Sequence, residues 1–190
     1  MRGTCRQSLL AVAVVISAFV TIQPVLAQSS GVGCDGATRL LWTGTNASIS
    51  LWKLDSNLNV LSKTAYGPYA GWYPAGITTA CNNNTYVLWL GLTANALDFN
   101  GAALIQQLDA NLNYVTQQAY GPAAGWVPES LSVDTTPNST LRLIWRGGDT
   151  LSGGIVSIWY LQPDLSIVKA VSYGPFPGYL GDNTDVIVAK

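Results

Sequence analysis

Apolar and polar residues alternate with a period of two along much of the chain, the pattern of β-strands with one covered face. Ser48 to Leu54 reads Ser-Ile-Ser-Leu-Trp-Lys-Leu. Val60 to Tyr66 follows after Ser56-Asn57-Leu58-Asn59, a turn segment in which Asn tolerates left-handed backbone angles. Arg39 to Trp42 and Ala75 to Ala80 complete a first set of four short predicted strands. A second set comprises Val87 to Trp89, Ala103 to Leu108, Tyr114 to Tyr120 and Ser130 to Val133. A third comprises Leu143 to Trp145, Ile155 to Leu161, Ile167 to Tyr173 and Asp185 to Ala189. No window past the first thirty residues carries helical periodicity.

The three sets are copies of one unit. Apolar triplets end in Trp at Leu40-Leu41-Trp42, Val87-Leu88-Trp89 and Leu143-Ile144-Trp145. Turns carry Asp at Asp55, Asp109 and Asp164. Tyr-Gly-Pro recurs at Tyr66, Tyr120 and Tyr173, and each copy is trailed by a Gly and an aromatic, at Gly71-Trp72, Gly125-Trp126 and Gly178-Tyr179. Four landmarks in fixed order, with the Tyr-Gly-Pro copies 54 and 53 residues apart, mark an internal repeat. The expected units are 34–80, 81–134 and 135–190 within one all-β domain spanning 28–190. From the triplet Trp to the turn Asp the gaps are 13, 20 and 19 residues. Length variation therefore gathers between the first two strands, at 95–101 and 147–154, as it does in exposed loops.

The N-terminal stretch reads differently. Arg2 and Arg6 precede the apolar run from Leu9 to Val20, and Val25-Leu26-Ala27 offers a small-residue cleavage site before Gln28. This is the layout of a secretory signal peptide, 1–27, and the run is too short and too interrupted by Gln23 and Pro24 for a membrane span. Secretion is expected, to the extracellular or periplasmic space, with no membrane span after processing.

Without Arg2 and Arg6 the chain holds seven basic and ten acidic residues, a net charge of −3 with no basic cluster, which argues against a nucleic-acid partner. Two cysteines remain, Cys34 and Cys81, each eight residues before a triplet Trp. In an oxidising compartment a disulfide between them is expected, with two separate buried thiols as the alternative.

The run Gly125-Trp126, Leu143-Ile144-Trp145-Arg146, Ser157-Ile158-Trp159 and Tyr173-Gly174-Pro175 resembles repeats of the FG-GAP/VCBS type, the blades of integrin-like β-propellers. The resemblance covers all three copies and implies blade-like four-stranded sheets. Two departures matter. The family's Asp-rich calcium loop corresponds here to Cys34-Asp35-Gly36-Ala37-Thr38, Cys81-Asn82-Asn83-Asn84-Thr85 and Thr136-Pro137-Asn138-Ser139-Thr140. One carboxylate across three loops is too few to ring a hard cation, so no metal and no cofactor is expected. Three blades are also fewer than the four to eight of a propeller ring. Either several copies complete a ring, as a homo-oligomer, or the three units close on themselves as a β-trefoil.

Chemistry is sparse. The chain has no histidine, which removes the common nucleophilic triads and the usual general base. Acidic residues are scattered singly, so no glycosidase pair is visible. Aromatics are the remaining signal. Trp42, Trp89 and Trp145 end apolar strands and should be core, and Trp52 and Trp159 should face a core as well. The Tyr-Gly-Pro loops carry Tyr66, Tyr69, Trp72, Tyr120, Trp126, Tyr173, Phe176 and Tyr179, a set that can either bind the apolar faces of sugars or staple neighbouring units together. The reading is a secreted, non-catalytic, carbohydrate-binding module. The alternatives are a structural or protein-interaction module that oligomerises and, third, a glycan-active enzyme.

Overall fold

The computed structural model of the protein describes residues 34–94, 98–134, 138–147 and 154–176. The predicted signal peptide, the predicted strand Asp185 to Ala189 and Tyr179 lie outside the described residues. Among those described, the chain is all-β. β1 (Thr38–Thr43), β2 (Ile49–Leu54) and β3 (Val60–Tyr66) form sheet 1. β4 (Trp72–Thr79), β5 (Thr85–Leu92), β6 (Phe99–Leu108) and β7 (Tyr114–Tyr120) form sheet 2. β8 (Trp126–Val133), β9 (Leu141–Gly147), β10 (Gly154–Leu161) and β11 (Ile167–Phe176) form sheet 3. Each sheet is an antiparallel meander, with strands paired in chain order. The three sheets do not merge into a closed barrel, so the blade-like arrangement holds and the trefoil does not.

The sheets are phased differently from the sequence units. The fourth strand of the first and second units crosses to the next sheet and becomes its first strand, so among the described residues sheet 1 has three strands where the others have four. Tyr-Gly-Pro makes this crossing. Pro68 and Pro122 donate no N–H, and β3 and β7 end at the preceding Tyr, whereas β11 runs on to Phe176. Gly71 and Gly125, with φ of 79° and 78°, supply the left-handed turn that launches β4 and β8. Within those strands Pro74 and Pro128 each sit at a register shift, where a missing N–H costs the ladder least. The length variation between first and second strands also resolves: Phe99 to Gly101 extend β6 rather than forming a free loop.

The core is two seams, and sheet 2 lies between them. Leu41, Ile49 and Leu51 of sheet 1 meet Val87, Trp89 and Leu104 of sheet 2. On the other side Tyr86, Leu88 and Ile105 meet Leu143, Trp145 and Leu161 of sheet 3. The period-two rule sends odd residues of β5 to one seam and even residues to the other. β5 is therefore buried from Thr85 to Gly91 and reads in sequence as one apolar run. Cys34 and Cys81 form a disulfide, with Cα atoms 4.8 Å apart, tying the approach to β1 to the β4–β5 turn.

Candidate functional site

The turn between the last two strands of each sheet is built the same way. Asp55 Oδ1 accepts from the backbone N–H groups of Asn57 and Asn59, and its Oδ2 accepts from the Asn59 amide. Asp109 repeats this with Asn111 and Asn113. These hydrogen bonds, the Asn side-chain bond first, hold both carboxyls below the usual range. Asp164 bonds Ser166 instead, and its carboxyl is lowered by that hydroxyl. The backbone bond that closes the turn runs from Asp55 to Asn59, from Asp109 to Asn113 and from Gln162 to Ser166. The counterpart of Asp55 and Asp109 is thus Gln162, not Asp164, and the interval to the next Tyr becomes 11 residues in all three copies. Each turn carries one leucine with positive φ: Leu58 at 64°, Leu112 at 67° and Leu165 at 70°.

Two of those leucines, Leu112 and Leu165, receive Tyr-Gly-Pro tyrosines. The Tyr66 hydroxyl crosses from sheet 1 and donates to the Leu112 carbonyl at 2.7 Å. The Tyr120 hydroxyl crosses from sheet 2 and donates to the Leu165 carbonyl at 2.6 Å. Burial pushes the Tyr120 phenol upward, and the nearby Asp164 charge adds to this. Tyr69 stands edge-on to Trp89 at 4.9 Å, and Trp72 packs beside them in the first seam. Trp126 packs in the second seam against Gly147, where a Cβ would come within 2.7 Å of its ring. Five of the eight predicted site residues, Tyr66, Tyr69, Trp72, Tyr120 and Trp126, therefore lie in the seams. Tyr173 and Phe176 are exposed on β11. The structure brings the first five together two sheets at a time and does not gather all of them at one loop surface.

Among the described residues, no sheet lies across one face of sheet 1 and one face of sheet 3. On sheet 1, Trp42 and Trp52 meet at 5.4 Å, the Trp52 indole donates to Ser50 Oγ, and Lys63 Nζ lies 3.8 Å over the Trp52 ring. Trp42 is 41% exposed, against 0% for Trp89 and 1% for Trp145. The expectation that all three triplet tryptophans are core fails for Trp42, and its neighbour Trp52 is only half-buried, because among the described residues no sheet lies on that side of sheet 1. On sheet 3 the outward face carries Val156, Ile158 and Tyr160 with Tyr173 and Val171, as the pairing of β10 with β11 requires. Sequence reasoning did not single out Leu58, Leu112 and Leu165. Their signal was an apolar residue inside an otherwise polar turn.

A shallow groove of about 510 Å³ opens on the seam of sheets 2 and 3, lined among others by Gln118, Tyr120, Trp159, Asp164 and Ser166. Trp159 stands edge-on to Tyr120 at 6.0 Å and stacks at a tilt on Trp145 at 4.9 Å. A further charged cluster lies at the start of β1. There Asp35 holds Arg39 through both carboxylate oxygens and also pairs with Lys53 at 3.0 Å. The Arg39 hydrogen bonds hold the Asp35 carboxyl far below the ordinary range, against the opposing pull of desolvation. Among the described residues no group of three or more His, Cys, Asp or Glu side chains is placed to hold a metal ion, and no helix is long and apolar enough to cross a membrane.

No protein-family model matches the chain, and neither does any curated protein. Among solved structures, the chain is similar to a protein of unknown function from Bacteroides caccae, with 11% identity and a TM-score of 0.35. The match covers 73% of this chain and 58% of the other.

Proposed function

We propose that the chain is a non-catalytic association module, a stack of β-blades that works by binding other macromolecules through the open face of sheet 1. The observation that carries this reading is the contrast between equivalent residues. Trp89 and Trp145 are sealed inside seams, while Trp42 stands open on the same face of the same unit. An apolar face of this kind, edged by polar residues, is what interaction surfaces look like. The absence of histidine from the whole sequence supports a role without acid–base chemistry. The predicted signal peptide, 1–27, and the Cys34–Cys81 disulfide support secretion, and the disulfide is compatible with an extracellular location. The FG-GAP/VCBS resemblance fits a blade built to pack against further blades.

Sedimentation of the chain in the medium of its producing cells tests the reading. The wild type should travel in complexes heavier than a single chain, and Trp42→Arg should shift it toward the single-chain mass. A wild type that sediments alone sinks the proposal.

Carbohydrate binding is the second reading, and the groove at Tyr120 favours it. One aromatic ring edge, an amide, a hydroxyl and a carboxylate converge there, the groups that match sugar hydroxyls and C–H patches. The groove lies away from the open face of sheet 1, so the two readings are separable. Titrating a panel of soluble polysaccharides while following Trp fluorescence decides it: no response from wild type, or an equal response after Asp164→Ala, removes this reading.

A further inference from the structure

The two seams repeat one construction, and the second departs from it at two residues that meet in one place. The β6–β7 turn is closed by a backbone bond from Asp109 to Asn113, and the β10–β11 turn by one from Gln162 to Ser166. Counted from these bonds, Asn111 corresponds to Asp164. The strand registers give the other correspondence. Trp89 pairs with Leu104 and Trp145 with Ser157, so Gln106 and Trp159 each stand two residues further along the neighbouring strand. Where the first seam has Gln106 and Asn111, the second has Trp159 and Asp164. Both of these line the groove beside Tyr120.

Neither exchange serves the local fold. In the first seam Trp89 Nε1 donates to Gln106 Oε1 at 3.2 Å, and Gln106 is 0% exposed. Trp159 is half-buried and offers no acceptor, and among the described residues Trp145 Nε1 is buried without a hydrogen-bond partner. Gln106 Nε2 is unpaired in the first seam, so the indole removes one buried hydrogen bond and mends none. The turn tells the same story. Asp109 starts its turn and uses both carboxylate oxygens on Asn111 and Asn113. In the third turn Gln162 holds that starting position, and the carboxylate sits two residues later on an exposed Asp164. Both Ser166 bonds go to Asp164 Oδ1, which leaves Oδ2 for a ligand.

We infer that Trp159 and Asp164 are the specificity-determining pair of this groove and that its ligand is an uncharged glycan, with sugar hydroxyls donating to Asp164 Oδ2 and an apolar C–H patch of the ring lying on Trp159. The inference rests on the carbohydrate reading and narrows it by charge. A carboxylate accepts and does not donate, so its partner must bring O–H or N–H groups, as a pair of adjacent sugar hydroxyls does. Gln118 Nε2 already donates to the Ala119 carbonyl at 2.8 Å, and its Oε1 is a second acceptor in the same groove. Among the described lining residues there is no Lys or Arg, so a uronate or sulfate group would meet the Asp164 charge with nothing to offset it. The Ser166 hydroxyl lowers the Asp164 carboxyl, which keeps that charge in place at neutral pH.

The test is isothermal titration calorimetry on the purified full chain and two variants, Trp159→Gln and Asp164→Asn. The probes are neutral polymers (dextran, xylan and galactomannan) and acidic ones (polygalacturonate and alginate). The wild type should bind at least one neutral polymer, and bind the acidic polymers at least about tenfold more weakly at low salt. Trp159→Gln installs the side chain that the first seam carries at that position, and should weaken neutral binding about tenfold or more. Asp164→Asn alters an exposed side chain, so the melting temperature should hold while neutral binding falls about tenfold. It should also narrow the gap between neutral and acidic polymers, a ratio that a merely structural role would not move. Should Trp159→Gln fail to fold, Asp164→Asn decides alone. Acidic polymers bound as well as neutral ones overturn the inference and leave the carbohydrate reading standing. Neutral binding that either folded variant leaves unchanged also overturns it, because the sugar then sits elsewhere. A wild type that binds none of the polymers overturns both the inference and the carbohydrate reading.

Discussion

Leu58, Leu112 and Leu165 offer an unusually well-controlled comparison, because one residue type occupies one turn with one backbone conformation in three different surroundings. Leu→Ala removes three carbons from each. For Leu112, buried in the first seam, the transfer loss is about 2.4 kcal/mol at roughly 0.8 kcal/mol per carbon. The cavity left among Trp89, Leu104 and Leu108 raises the total to about 3 kcal/mol. Leu165→Ala should cost a similar amount in the second seam. Leu58 is mostly exposed, so its replacement loses about a third of the transfer term and opens no cavity, about 0.5–1 kcal/mol. Any strain from positive φ is common to all three and cancels from the comparison. Urea unfolding followed by Trp fluorescence, at a concentration low enough to keep the chain monomeric, reads the differences directly as midpoint shifts at constant slope. Equal losses at Leu58 and Leu112 would refute the claim that seam burial, rather than the turn itself, is what these leucines contribute.

Two further outcomes follow from the seams and from the β1 cluster. Tyr120→Phe leaves the Leu165 carbonyl without its cross-sheet donor and should cost about 1–2 kcal/mol in chemical denaturation, while Tyr173→Phe should leave the single chain unchanged. Because burial raises the folded-state pKa of Tyr120, its stabilising contribution is complete below the unfolded phenol value near 10 and declines as pH rises beyond it; the Phe variant should blunt that alkaline loss, and an identical alkaline profile would contradict it. Asp35→Asn removes the partner of a buried guanidinium, with Lys53 and the Ala37 carbonyl left nearby, and should destabilise by about 2–4 kcal/mol at neutral pH. Asp35 has a depressed folded-state pKa, so its contribution is present above the unfolded value near 3.9 and fades as pH falls below about 4. The wild type should therefore lose stability more steeply than the Asn variant between about pH 4 and pH 2, which melts across that range will show or deny.

Much of the architecture could be read from the chain as letters. Period-two alternation marked the strands, Tyr-Gly-Pro marked their limits, and the recurrence of Tyr-Gly-Pro after 54 and 53 residues announced one unit written three times. These are local properties: pleat sets the alternation, and the missing proline N–H sets the stop. The disulfide between Cys34 and Cys81 was legible too, since equivalent positions of neighbouring units come close whenever the units stack side by side. What local pattern could not supply is which copy covers which. Trp42, Trp89 and Trp145 stand in near-identical sequence, yet two are sealed and one is open. The difference is tertiary: among the described residues a neighbouring sheet lies across Trp89 and Trp145, and none lies across Trp42. The same holds for the Tyr-Gly-Pro aromatics. Their chemistry suits sugar or staple equally, and Tyr66 and Tyr120 became staples because a turn leucine from the next sheet arrives to accept their hydroxyls. The phase of the sheets was likewise a tertiary matter. Sequence similarity groups a strand with those before it, whereas hydrogen bonding gave β4 and β8 to the sheet that follows, where an unpaired ladder was waiting for them.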